Sequence, residues 1–128
     1  MEGRALNNEL KFMSNWKNIR LELGHTNEFP AGSVSRAYLV RLPLDDNDLV
    51  DEKALQRSPQ RATARRFWST EPDECGLVVR IESGWAMHCN GSPVRMLDLD
   101  GRPIRLGQHI AVEEPGGALL PFRIAGIR

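Results

Sequence analysis

Cys75-Gly76-Leu77-Val78-Val79-Arg80-Ile81-Glu82-Ser83-Gly84-Trp85-Ala86-Met87-His88-Cys89 is the stretch whose reading decides the fold. Two runs of alternating residues flank a short polar break, which is the pattern of a β-hairpin. Taking Glu82-Ser83-Gly84 as a three-residue loop, with glycine in the left-handed position, pairs Ile81 with Trp85, Val79 with Met87 and Leu77 with Cys89. One face of the hairpin is then wholly apolar, and a slip of one residue would move Trp85 and Met87 to the other face. On that register Trp85 is buried against Leu77, Ile81 and a neighbouring strand residue such as Leu21. Cys75 falls diagonal to Cys89, about 7–8 Å away by sheet geometry. A disulfide needs Cβ atoms about 4 Å apart, so both thiols are expected to be free.

Outward from the hairpin the period remains two. Ile19, Leu21 and Leu23 alternate with Arg20 and Glu22 in one strand, and Tyr38, Val40 and Leu42 alternate with Leu39 and Arg41 in a second. Pro43 ends that strand or confines it to an edge. Asp51 caps a helix of one to two turns over Asp51–Arg57, stopped by Ser58-Pro59 and held by docking Leu55. Arg61–Ser69 reads as the third strand, with Phe67 inside and Arg66 and Trp68 outside, Trp68 partly covered by the helix. Asn90-Gly91-Ser92-Pro93 breaks the ladder. Asp100-Gly101 reads as a turn between Leu97–Leu99 and an edge pair at Pro103–Arg105. Ile110 and Val112, then Phe122, Ile124 and Ile127 on either side of Pro115-Gly116-Gly117, complete the set.

Short strands spaced by turn signals, with one stub of helix, predict a mainly β fold. The expectation is a small closed or partly open barrel of six to eight strands. Residues 1–15 read as a flexible N-terminal arm or a mis-assigned start, and 16–128 as a single barrel domain. With 128 residues the chain suffices for one core. Lys plus Arg equals Asp plus Glu, both 17, so no global field draws in nucleic acid or an acidic membrane. No apolar run nears the roughly 18 residues that span a bilayer, and no apolar leader is visible. These features point to a soluble cytoplasmic protein without membrane contact.

Ile19–Leu23, Glu28-Phe29-Pro30 with Gly32-Ser33, Arg65–Trp68 with Glu71 and Gly76, Gly84-Trp85 and Phe122-Arg123-Ile124 resemble a family of short bacterial β-rich proteins with no assigned function. Where that family carries a glycine-glutamate-aromatic stretch, this chain has Gly107-Gln108-His109. The resemblance implies a single bacterial domain and transfers no activity.

Chemistry leaves few marks. His25, His88, His109, Cys75 and Cys89 show no metal-ligand spacing, so no metal and no cofactor are expected. A cysteine on an apolar hairpin face is a core residue rather than a nucleophile. Asp45-Asp46, Asp73-Glu74 and Glu113-Glu114 are adjacent on the chain, so the members of each pair face opposite ways on a strand, and no catalytic residue is assigned. The one local contrast is Arg61, Arg65, Arg66 and Trp68, the candidate binding surface. The leading expectation is a non-enzymatic module that binds a protein partner or assembles with itself. A nucleic-acid-binding barrel using those four residues is the alternative, and an enzyme of unrecognised class comes third. A strand face whose charges simply pair with Glu71, Asp73 and Glu74 is the plain competitor.

Overall fold

The computed structural model describes residues 15–89 and 94–128. The expectations for residues 1–14 and for the break at Asn90–Pro93 lie outside the described residues.

Eight antiparallel strands close into one up-and-down barrel, each pairing with the next and the last with the first. They are β1 (Trp16–Leu23), β2 (Ser33–Pro43), β3 (Thr63–Trp68), β4 (Glu71–Ile81), β5 (Gly84–Cys89), β6 (Arg95–Leu97), β7 (His109–Glu113) and β8 (Leu119–Ile127). The helix α1 (Glu52–Arg57) and a 3-10 turn (Pro59–Arg61) lie between β2 and β3. Closure leaves no unpaired sheet edge, the solution a mainly β chain needs when no helical layer covers it.

The alternation read from β1 and β2 sets the inner face. Ile19, Leu21, Tyr38, Val40 and Leu42 are all buried, and Ile19 pairs with Val40 and Leu21 with Tyr38. Helix α1 begins as expected: the Asp51 carboxylate accepts from the Ala54 N–H at 3.1 Å, satisfying one of the free first-turn donors. A helix this short is marginal alone. It is held by Leu55, which joins the core together with Leu44, Ala62, Leu99 and Ile104. All five come from connections at one end of the strands, and they close that end of the barrel.

The hairpin register differs from the expected one by a residue. Ile81 pairs with Gly84, Arg80 with Trp85, Val78 with Met87 and Gly76 with Cys89, across a two-residue turn of Glu82-Ser83. Gly84 sits at φ 143°, a conformation only glycine adopts readily, and this lets so short a turn close the pair. Leu77-Val78-Val79 is apolar on both faces of β4, so its pattern cannot choose which face turns inward, and the turn decides. Val78 is buried and Leu77, Val79 and Ile81 are half-buried on the outside. Trp85 is buried as expected, but its neighbour across the ladder is Arg80, whose guanidinium lies 5.1 Å from the ring. Cys75 therefore lies outside and Cys89 inside; both are free, on opposite faces rather than on one.

Two further expectations change. The third strand begins at Thr63, because Pro59–Arg61 forms the 3-10 turn. Asp100-Gly101 is a turn, but Pro103–Arg105 forms no strand. Its Ile104 N–H donates to the Asp48 carbonyl at 2.8 Å and its side chain is buried, so this segment docks on the β2–α1 connection instead of pairing with β6.

Candidate functional site

The four residues of the expected surface separate. Tyr38, whose side chain is inside, pairs with Arg66, and Arg36 pairs with Trp68. Arg66 is only 5% exposed, and Trp68 is half-buried with its ring 6.4 Å from that of Phe122. Both therefore belong to the inner face, whereas Phe67 and Arg65 lie outside. The reason is that each face of β3 carries one arginine and one aromatic, so alternation alone is degenerate. Carboxylates on β4 break the tie, because they give a buried Arg66 its partners. Helix α1 enters β3 at the opposite end from Trp68 and does not cover it. Arg61 lies 4.6 Å over the Trp16 ring, at the closed end.

Arg66 belongs to a buried ionic layer. Its Nη1 donates to Glu74 Oε2 at 3.2 Å and lies 3.5 Å from Glu71 Oε1, while its guanidinium stacks 4.2 Å from the Trp68 ring. Arg95, equally buried, donates from Nη2 to the same Glu74 oxygen at 3.3 Å and from Nε to Glu114 Oε2 at 2.8 Å. The Tyr38 hydroxyl donates to Glu114 Oε1 at 2.9 Å. Burial pushes the Tyr38 pKa up, and the adjacent Glu114 charge and hydrogen bond raise it further. Burial works against the Arg95 charge, but the Glu114 hydrogen bond and the surrounding anionic groups outweigh it, so its pKa is raised. Burial, then the Glu74 charge, raises that of the Cys89 thiol, which disfavours the reactive thiolate. Carboxylates already hold both guanidiniums, so this layer ties four strands and the residue after β7 together rather than offering a free reactive group.

The outer face gathers what the sequence spreads apart. The β1–β2 register sets Asn18 beside Arg41, Arg20 beside Leu39 and Glu22 beside Ala37. Next to them, β8 adds Arg123 opposite Glu22 and Gly126 opposite Arg20, and Arg128 exchanges both backbone hydrogen bonds with Asn18. On the other side, β3 adds Arg65 opposite Leu39 and Phe67 opposite Ala37. Paired residues share a face, so Arg20, Arg41, Arg65, Arg123 and Arg128 stand on one surface of four adjacent strands. Among the described residues, Glu22 and Asp73 are the acidic side chains that oppose them there. Glu22 pairs with Arg20 at 2.8 Å and lies 3.8 Å from Arg123, and Asp73 pairs with Arg65 at 3.2 Å. A register shift between Arg20 and Leu21, beside the side-chain-free Gly126, accompanies a cleft of about 470 Å³. Asn18, Arg20, Leu39, Ala125, Gly126 and Arg128 line it. Sequence reading found Arg65 alone of this set, because the other four arginines are isolated in the chain and meet only through pairing.

Among the described residues no group of His, Cys, Asp and Glu is placed to hold a metal ion, and no helix is long and apolar enough to cross a membrane. A scan against protein-family models finds no match, and neither the curated proteins nor the solved structures contain one. Function therefore rests on geometry.

Proposed function

We propose that this chain is a non-enzymatic binding module, a rigid closed barrel that presents the outer face of β8, β1, β2 and β3 to an anionic partner. The observation that carries this reading is charge segregation. A chain with no net charge sets five arginines against two carboxylates on one surface. Local fields of this kind steer oppositely charged partners even where the whole molecule is neutral. The interior supports the same reading: side chains such as Tyr38, Met87, Phe122 and the ionic layer fill it, as in other barrels of eight strands. We read the protein as cytoplasmic, since two thiols held on opposite faces suit a reducing compartment.

Retention on immobilised heparin, a generic polyanion, tests the reading. The wild type should be retained at low salt and elute as salt rises. Arg65→Gln with Arg123→Gln should move elution to clearly lower salt with little change in melting temperature, because both side chains are half-exposed and no like-charge pair is created beside Asp73 or Glu22. Flow-through of the wild type at low salt would sink the proposal.

A further inference from the structure

Resting on that reading, we propose that the anionic partner is a single-stranded nucleic acid. Its phosphates would lie along the outer arginines, with one nucleotide in the cleft beside Gly126 and a neighbouring base on Phe67.

Three observations separate this partner from a featureless polyanion. First, the face carries an aromatic. Phe67 points outward, half-buried, and the Arg65 guanidinium lies 4.8 Å from its ring. The guanidinium lies over the ring, so the two form one stacked platform on which a base can lie while the charge attracts a phosphate, and stacking tolerates any base because every base has a π-face. Second, the charge and the aromatic are contiguous. Leu39 lines the cleft, pairs with Arg65, and so joins the cleft to the Phe67 platform. From β8 to β3 is three strand spacings, about 14 Å. That reach suits a short stretch of extended strand rather than a point ligand. Third, the cleft's volume of about 470 Å³ falls in the range that receives a small organic group. Asn18, Arg20 and Arg128 line it with Leu39 and Ala125, Arg20 already donating from Nε to Glu22 and from Nη2 to the Val34 carbonyl. Arg41, paired with Asn18, adds its charge beside the cleft, although its Nε is buried and only the rest of its guanidinium can face a ligand.

The experiment is fluorescence anisotropy with a labelled oligothymidylate, a duplex of equal length, and heparin as competitor. The oligothymidylate should bind, and its affinity should fall with salt at a logarithmic slope of about −2 to −3.5. Those limits correspond to three uncompensated or all five arginine charges neutralising phosphates. The duplex, whose bases cannot leave their stack, should bind about tenfold more weakly or worse. Phe67→Leu keeps an apolar side chain and removes the ring. It should lower oligothymidylate affinity by about fivefold to a hundredfold while heparin retention and the salt slope stay as in the wild type. Leu39→Ala, a second variant beside the cleft, should weaken the oligothymidylate and spare heparin in the same way. Heparin retention with no preference for the single strand, or an oligothymidylate affinity unmoved by both substitutions, would overturn this inference and leave the anionic-partner reading standing. Failure of both probes at low salt removes both.

Discussion

Gly76 lies directly opposite Cys89 on the inner face of the barrel, and the backbone there is so close that a Cβ on Gly76 would collide with the His88 carbonyl. The strand pair can take this register only because residue 76 has no side chain. Val78 against Met87 is the next inward pair, and the His88–Cys89 backbone occupies the place a side chain at 76 would need. This contact is what the hydrophobic pattern of the hairpin does not reveal.

Gly76→Ala should therefore destabilise the barrel severely, by about 3 kcal/mol or more, since the obstacle is backbone and cannot move aside as a rotamer would. Gly116→Ala is the matched control, because a Cβ there meets nothing within 4 Å. Chemical denaturation of the two variants checks the pair. Equal midpoints would show that β4 and β5 are not in this register.

Tyr38 is the single tyrosine of the chain, so tyrosinate absorbance reports on it alone. Burial and Glu114 hold its folded pKa above the ordinary value of about 10. The unfolded chain then ionises first as pH rises, so the stabilisation is complete below about pH 10. Above that it declines by about 1.4 kcal/mol per pH unit until the folded hydroxyl itself ionises. Tyrosinate should appear only as the fold is lost, and Tyr38→Phe should flatten the alkaline decline. Tyrosinate formed near pH 10 in intact protein would contradict the burial of this ring.

Within the ionic layer, Glu114 serves both Tyr38 and Arg95. Glu114→Ala should cost about 3 kcal/mol, because Arg95 remains buried with only Glu74 to balance it. Combining Glu114→Gln with Arg95→Met removes the stranded charge and keeps an acceptor for Tyr38. The double variant should recover at least about half of the loss. Thermal melts of Glu114→Ala and of the double variant decide it: a double variant no more stable than Glu114→Ala would mean that the two groups do not act together.

The two thiols should behave differently. Cys75 is exposed, whereas Cys89 is 2% exposed with its pKa raised. A thiol reagent should modify one cysteine in the native protein and two after denaturation without reductant. Modification of both at equal rates in folded protein would place Cys89 outside the core.

Where the chain alternates cleanly, its pattern was enough: β1, β2, the Asp51 cap and the barrel itself were legible. Where both faces carry the same kinds of residue, it was not. Leu77-Val78-Val79 is apolar twice over, and Arg65-Arg66-Phe67-Trp68 places an arginine and an aromatic on each side. Inside and outside are then chosen across the neighbouring strand, by the two-residue turn that sets Val78 against Met87 in one case and by the Glu74 carboxylate that receives Arg66 in the other. The binding face fails to show for a related reason. The local density of arginine between Arg57 and Arg66 catches the eye, yet strand alternation divides it between interior and exterior. Arg20, Arg41, Arg123 and Arg128 carry no local contrast, and only the ladder makes them neighbours.

Strand β6 has just three residues, and among the described residues its ladder with β7 is Met96 and Leu97, continued by the Asp98 N–H to the Ala111 carbonyl and bridged at one end by the Arg95–Glu114 pair. Few main-chain bonds must break for the cylinder to part there, so its amides should exchange with solvent through small, frequent openings that leave the remaining staves intact. In a ring of eight, β6 stands diametrically across from β2, the centre of the arginine surface. The barrel thus keeps its breathing seam as far as its geometry allows from the face we assign to a partner, so loosening of one need not disturb the other.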